Sequence, residues 1–219
     1  YEQSGQNEPL YQVLERQKEL VSGPERERVL VRMAAVASGD LGQTEGSIAL
    51  YRELLEKNPR NDQAFDALAT LLEKADRPLE LKDLLQWKRE RSMDPRELVR
   101  LNENIGRLLA KQLDQPEEAV AFFKAALERD ARHRGALEGL RDVSERLGRK
   151  DELVALLRRL LPLQETAEGI KQVRIRLAEV ISELNRREEA LDAARRALEV
   201  EPHSVADLDR LVAVLGQLK

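Results

Sequence analysis

Leu54-Leu55-Glu56-Lys57-Asn58-Pro59, Ala126-Leu127-Glu128-Arg129-Asp130-Ala131 and Ala197-Leu198-Glu199-Val200-Glu201-Pro202 are three versions of one hexapeptide, 72 and 71 residues apart. Each reads as the end of a helix running into a turn. The same offset carries Leu81 to Leu153 and Leu85 to Leu157, so the similarity extends beyond the hexapeptide. A fixed period of this kind marks a chain assembled from repeated units. Three copies, 8–77, 78–149 and 150–219, nearly consume the 219 residues. They are expected to form a single domain.

Each copy divides again. Apolar residues recur at i, i+3, i+4 and i+7, and turn residues interrupt that spacing every 15 to 18 positions, the signature of successive amphipathic helices. The spacing predicts helices over 8–20, 24–38, 44–57, 62–75, 78–92, 95–112, 116–129, 133–147, 150–161, 166–184, 187–200 and 204–217, and no strand. Aromatics are only 3% of the chain while Ala, Leu, Glu, Arg and Lys dominate, which also argues against a sandwich or barrel. Asp94-Pro95-Arg96-Glu97 reads as a capping box, and Ser22-Gly23-Pro24-Glu25 as the same device. Pro59, Pro116, Pro162 and Pro202 fall between helices, where they break no helical hydrogen bond.

Half of the long period lies near the length of a helix-turn-helix repeat, and residues inside the halves carry a family resemblance. Ala119, Phe123, Ala126 and Ala131 reproduce a small, bulky, small, turn pattern along a second helix and its turn. Ala190, Ala194, Ala197 and Pro202 repeat it, and Ser47, Tyr51, Leu54 and Pro59 give a third version. Ile105-Gly106 with Leu109 matches the small-residue place on a first helix. In these residues the chain resembles the tetratricopeptide (TPR) repeat family over about 24–217. The pattern departs at Leu81, Lys88, Leu153 and Leu160, which stand where small residues are expected, and the turns near Leu41 and Leu113 carry an extra residue. Leu10, Val13 and Leu14 read as part of the second helix of a preceding repeat. The resemblance implies an all-α, right-handed superhelical α-solenoid of TPR-like helix-turn-helix repeats. One hairpin cannot bury its apolar face alone, so alanine-sized notches admit the bulkier side chains of neighbours.

Several chemistries have no support in the residues. With no cysteine there is no disulfide, thiol nucleophile or sulfur-ligated metal. The two histidines, His133 and His203, lie in turns and read as solvated, so no metal ligand set is expected. No phosphate loop or nucleophile elbow occurs, and no catalytic residue, enzyme activity or cofactor is expected. A net charge of −4 gives nucleic-acid binding little to rest on. The longest apolar run, Met33 to Ala37, is far short of a membrane span, so no membrane insertion is expected. Position 1 is Tyr and no leader-like segment follows. An opening on an unpaired second helix and the apolar run Leu211 to Leu215 are the reading of a piece of a longer protein, with end-to-end self-association expected through those exposed ends.

What the resemblance implies about function is a partner groove lined by the first helix of each hairpin. Carried over by position, that groove contains Arg28, Val31, Ala35 and Ser38, then Gln63, Asp66, Thr70 and Glu73. It continues through Arg100, Glu103, Arg107 and Ala110, then Gly135, Glu138, Asp142 and Glu145, and ends at Gln172, Ile175, Glu179 and Ser182. The partner-binding set singled out is Arg100, Glu103, Arg107, Glu138, Asp142, Glu145, Gln172 and Glu179. Its C-terminal half is acidic, so a protein or peptide partner with a basic segment is expected. The family's clamp for a terminal carboxylate is incomplete here, with Val31, Ala35, Asp66 and Thr70 at its places. Trp87 has two readings, packing between repeats or anchoring a partner on the convex face. Phe123 takes the core place beside Phe122, which is left half-exposed or packed on the next unit.

The functional expectation is a non-catalytic protein-protein interaction scaffold in a bacterial multiprotein assembly of the secretion, pilus, motility or envelope kind. The bacterial element rests on 27 Arg against 10 Lys, which points to GC-rich coding, and on where such arrays occur. The alternative is a peptide-sensing regulatory domain that changes curvature to control an attached effector. The cytoplasm is the expected compartment, with the periplasm and envelope left open.

Overall fold

A computed structural model describes residues 7–39 and 42–217. Among them are twelve α-helices and no strand: α1 (Asn7–Leu20), α2 (Gly23–Ser38), α3 (Thr44–Lys57), α4 (Asp62–Lys74), α5 (Pro78–Arg91), α6 (Pro95–Lys111), α7 (Pro116–Arg129), α8 (Arg134–Arg146), α9 (Lys150–Leu160), α10 (Ala167–Glu183), α11 (Arg187–Leu198) and α12 (Val205–Gln217). A 3-10 turn, Leu161–Leu163, follows α9. Every expected helix is present, with ends within two residues of the sequence reading. The helices gather into two compact units, Tyr1–Leu85 and Gln86–Lys219, whose boundary falls inside α5.

The reversals inside the hairpins have a local cause. Asp76, Asp114, Gly148 and Asn185 take left-handed backbone with φ of 52°, 55°, 66° and 57°. Asp, Asn and Gly are the residues that tolerate this conformation after a helix. The turn then closes from Arg77 N to Leu72 O at 3.0 Å, Arg149 N to Ser144 O at 2.8 Å and Arg186 N to Ile181 O at 3.3 Å. Where the sequence carries an extra residue, the closing bond spans one position more: Gln115 N donates to Leu109 O at 2.8 Å, and Gln43 N to Ala37 O at 2.8 Å. Leu41 itself lies outside the described residues.

Two caps differ from the sequence reading. Asp94 does cap α6, accepting from Arg96 N at 3.0 Å. Glu97, however, does not close the box. It accepts from the Ser92 hydroxyl and lies 3.5 Å from Lys88 Nζ. The nearby cation is a stronger partner than a backbone amide. Ser22 makes no side-chain cap bond to α2.

In the first unit α1 packs on α2, α2 on α3, and α3 on α4, burying Leu14, Leu30, Met33, Leu54, Leu68 and Leu72. Ser47 occupies a notch with no exposure, and its hydroxyl donates to Ala34 O at 2.7 Å, so the buried polar group is satisfied. In the second unit consecutive helices from α6 to α12 pack on one another. Ala119, Ala126, Ala190 and Ala197 have no exposed surface, and Ala194 is buried with them. Leu81, Lys88, Leu153 and Leu160 are buried as well, so the places that depart from the family pattern still face the interior. Ala197→Leu is expected to cost about 1–3 kcal/mol through overpacking, read as a lower urea midpoint; an unchanged midpoint would show that Ala197 is not a contact notch.

Phe123, 1% exposed, is the largest fully buried side chain among the described residues. A Cβ on Gly106 of α6 would lie 2.9 Å from its ring, and one on Gly139 of α8 only 2.3 Å from it. Two glycines on two first helices therefore form the slot for one ring on the second helix between them. Phe122 is buried under the Arg89 guanidinium, 5.0 Å from the ring centroid. That corrects the expected half-exposure: the ring is buried, and Arg89 of α5, two helices earlier, covers it through a cation–π contact. Trp87 is half-buried, with Arg91 Cζ 4.7 Å from its ring centroid.

Candidate partner-binding site

The predicted groove positions divide by their surroundings. In the first unit Arg28, Ala35, Gln63, Asp66, Thr70 and Glu73 are exposed, and Val31 and Ser38 half-buried. In the second, Arg100, Arg107, Asp142 and Glu145 are exposed, while Glu103, Ala110, Gly135, Glu138, Gln172 and Glu179 are half-buried. Ile175 and Ser182 are not groove residues. Ile175 has no exposure and belongs to the apolar core with Leu157, Ala178 and Leu211. Ser182 is buried and donates to Gln217 at 3.1 Å. The reason is α12, which packs on α10 and covers places a carry-over by position leaves open.

The second-unit residues form a polar ladder running from hairpin to hairpin. Glu103 of α6 lies 2.6 Å from His133 Nε2, just ahead of α8, and 2.7 Å from Arg107. Glu145 of α8 pairs with Arg176 of α10. Glu179 of α10 accepts from Arg176 at 3.0 Å and from Arg210 of α12 at 2.6 and 2.9 Å. Gln172 bridges to α12 too, donating to Asp207 at 2.7 Å and accepting from Arg210 at 2.8 Å. His133 is thus a cross-hairpin contact rather than a solvated turn residue, and His203 Nε2 lies 2.9 Å from Leu198 O. Burial acts against the charged form of Glu179, but hydrogen bonds from Arg210 and Arg176 outweigh it and hold its carboxyl below the usual range.

The ladder changes the electrostatics the sequence implied. Glu138 pairs with Arg134 at 2.8 Å, Asp142 accepts from Arg141 at 2.9 Å, and Glu145 and Glu179 hold Arg176 and Arg210. The acidic residues stand next to arginines, so the face carries alternating charge. Arg134, Arg141 and Arg176 stand within four residues of Glu138, Asp142 and Glu179, whereas the pairs Arg176–Glu145 and Arg210–Glu179 each span 31 positions. The long offset does repeat another cross-hairpin pair, Arg52 with Glu80 and, 72 residues on, Lys124 with Glu152, but not these arginines.

At its deepest the α10–α12 contact is ionic. Lys171 and Asp207, with side chains 4% and 5% exposed, lie 2.8 Å apart. Asp207 also accepts from Ser204 N at 3.0 Å, and Lys171 donates to Pro202 O. The Lys171 ammonium, the Ser204 amide and the Gln172 amide hold the Asp207 carboxyl far below its usual range. Among the described residues no group of three His, Asp or Glu is placed to hold a metal ion, and no helix is long and apolar enough to cross a membrane.

Comparison with known proteins agrees with this architecture. Residues 99–133, covering most of α6, all of α7 and the turn to α8, match the family model described as a tetratricopeptide repeat. Among solved structures, YrrB, a TPR protein with an unusual peptide-binding site, is 19% identical with a TM-score of 0.56, over 83% of this chain and 89% of its own. PilF of Pseudomonas aeruginosa is 19% identical with a TM-score of 0.52, over 97% of this chain and 92% of its own. Naa15/Naa10 bound to HypK-THB gives 14% identity and a TM-score of 0.65, over 87% of this chain and 29% of its own. Identities this low establish likeness of fold. The curated proteins give no match. Residues 99–133 are a tetratricopeptide repeat, and the chain has the all-α helix-turn-helix fold of tetratricopeptide-repeat proteins.

Proposed function

We propose that the protein is a non-catalytic scaffold that binds a protein or peptide segment along the first-helix face of its second unit. The observation that carries this reading is the ladder itself. Arg100, Glu103, Arg107, Glu138, Asp142, Glu145, Gln172 and Glu179 stand on three first helices, α6, α8 and α10, at exposed or half-buried positions. Ion pairs link one hairpin to the next. Such a face offers an extended segment many charged and hydrogen-bonding groups on a rigid support. YrrB, with the same fold, is described as having a peptide-binding site.

Within that reading the partner carries basic residues opposite Glu138, Asp142 and Glu145. Asp142, exposed and held only by its neighbour Arg141, is where such a residue gains most, since elsewhere it competes with Arg134 and Arg176. The assembly is proposed to be bacterial and the compartment cytoplasmic. The exposed Val205, Leu208, Val212 and Leu215 of α12 support self-association, to be read as a mass rising with protein concentration.

The test is capture of partners by the wild-type protein and by Glu138→Lys with Asp142→Lys. Both sites are at the surface, so the helical spectrum should be unchanged while the captured partner is lost. A partner held equally by both proteins, at low and high salt alike, would remove this face from the interaction.

A further inference from the structure

At one edge of the same face the charge pattern breaks. A cavity of about 530 Å³ opens between the first turn of α6, the end of α7 and the turn into α8. Its lining includes Arg96, Val99, Arg100, Arg129 and His133. Elsewhere in the second unit arginines such as Arg134, Arg146, Arg158, Arg176, Arg186 and Arg210 each hold a carboxylate. The three at this cavity do not, among the described residues. Arg96 and Arg100 stand one helical turn apart, both exposed, and Arg129 donates only to the Ala125 carbonyl at 3.3 Å.

Two acids, Asp94 and Asp130, share the lining, and each is held by a backbone amide. Asp94 accepts from Arg96 N, and Asp130 from Arg132 N at 3.0 Å. Glu103 is held by His133 and Arg107. Three guanidiniums that hold no carboxylate among the described residues thus border a concave site, while Pro95 and the buried Val99 supply its apolar wall.

We infer that this cavity is a subsite for the carboxylate side chains of an acidic stretch in the partner segment. Guanidinium forks match carboxylates in geometry and in charge. The volume falls in the range of pockets that enclose a ligand, so the acidic side chain enters with its aliphatic stem against Val99. The inference rests on the reading of the first-helix face as a peptide groove, since Arg100 belongs to both. It makes the partner a segment of mixed sign, acidic toward α6 and basic toward α8 and α10. It differs from a clamp for a chain terminus because two of its three cations come from outside the groove line: Arg96 at the start of α6 and Arg129 at the end of α7.

The test uses fluorescence anisotropy with three labelled peptides, each acetylated and amidated so that no terminal charge remains. One alternates Glu with Ala and Leu; the others carry Gln or Lys in place of Glu. The acidic peptide should bind at least about tenfold more tightly than either control, the difference expected from one charge-assisted hydrogen bond, and weaken with salt. Arg96→Glu with Arg100→Glu should abolish the preference and Arg129→Gln reduce it, with the helical spectrum and urea midpoint unchanged. Arg195→Glu, at an exposed position on α11 outside the cavity lining, should leave it intact. Equal affinity for the Gln peptide, a preference that survives the arginine reversals, or equally effective competition by inorganic phosphate would each overturn the subsite. Those failures would be separate from failure of the groove reading, which partner capture by the Glu138→Lys, Asp142→Lys protein tests independently.

Discussion

Phe123→Ala is expected to lower the stability of the second unit by about 3–5 kcal/mol, the cost of emptying a fully buried aromatic site. The effect should be near the upper end because the space cannot readily collapse. Gly106 and Gly139 have no side chains to move inward, and the two helices that carry them already pack on each other as well as on α7. The reciprocal change gives the sharper test. Alanine is better than glycine in a helix by about 1 kcal/mol, so Gly139→Ala would stabilise an open position. Here its Cβ would lie 2.3 Å from a Phe123 ring atom, and the clash should reverse the sign to a net loss of about 1–3 kcal/mol. Combining Gly139→Ala with Phe123→Leu should cost less than the sum of the two single changes, because the shorter side chain vacates the space the methyl needs. Urea unfolding of the four proteins measures the coupling. Strict additivity would show that the ring and the glycine do not share a slot.

Asp207→Ala is expected to release α12 from α10, seen as fast amide exchange throughout α12 while α6 to α9 remain protected. The change leaves the buried Lys171 ammonium with Glu168, an exposed carboxylate 2.8 Å away, and the Pro202 carbonyl, and removing the buried member of its ion pairs is the costly operation. Replacing both members by apolar residues, Lys171→Met with Asp207→Leu, should restore much of the protection. The pair also sets a pH response. Asp207 is shifted down from 3.8, chiefly by the hydrogen bond from Lys171. Its contribution is therefore complete above the ordinary carboxylate range and is lost as pH falls through the lower folded value. Lys171 is shifted up from 10.5, chiefly by its hydrogen bond to Asp207. Its contribution is complete below the ordinary lysine value and is lost as pH rises through the higher folded one. Protection of α12 should therefore be level through the neutral range and fall at both extremes. A change centred near neutrality would point to another group.

The two histidines and the acidic face show why some of the site was hidden. His133 was readable as a turn residue, and it does precede α8, but its partner Glu103 is 30 positions away in sequence. Nothing local to Arg-His-Arg records that. Glu138, Asp142, Glu145 and Glu179 were readable as an acidic set because they share a helix face by position. Arg176 reaches Glu179 within α10, one turn away, but only helix stacking brings Arg176 to Glu145 and Arg210 to Glu179. Ile175 and Ser182 were placed in the groove by their position on a first helix, and they sit in the core because α12 folds over them. The carboxylate-free arginines at 96, 100 and 129 could not be told from the rest by sequence, since being unpaired is a property of the neighbours.

The helices and their approximate ends were determined by sequence alone, because they depend on interactions that reach no farther than one turn, and the alanine notches were legible through their recurrence from repeat to repeat. Apolar spacing selects the face, Asp, Asn or Gly allows the left-handed reversal, and Ala or Gly leaves room wherever a neighbour arrives. Which charges are neutralised, which groove places are covered and where a cavity remains were decided only by tertiary structure. Those outcomes depend on side chains about 30 residues apart meeting across a hairpin interface, where a small change in helix placement exchanges one partner for another.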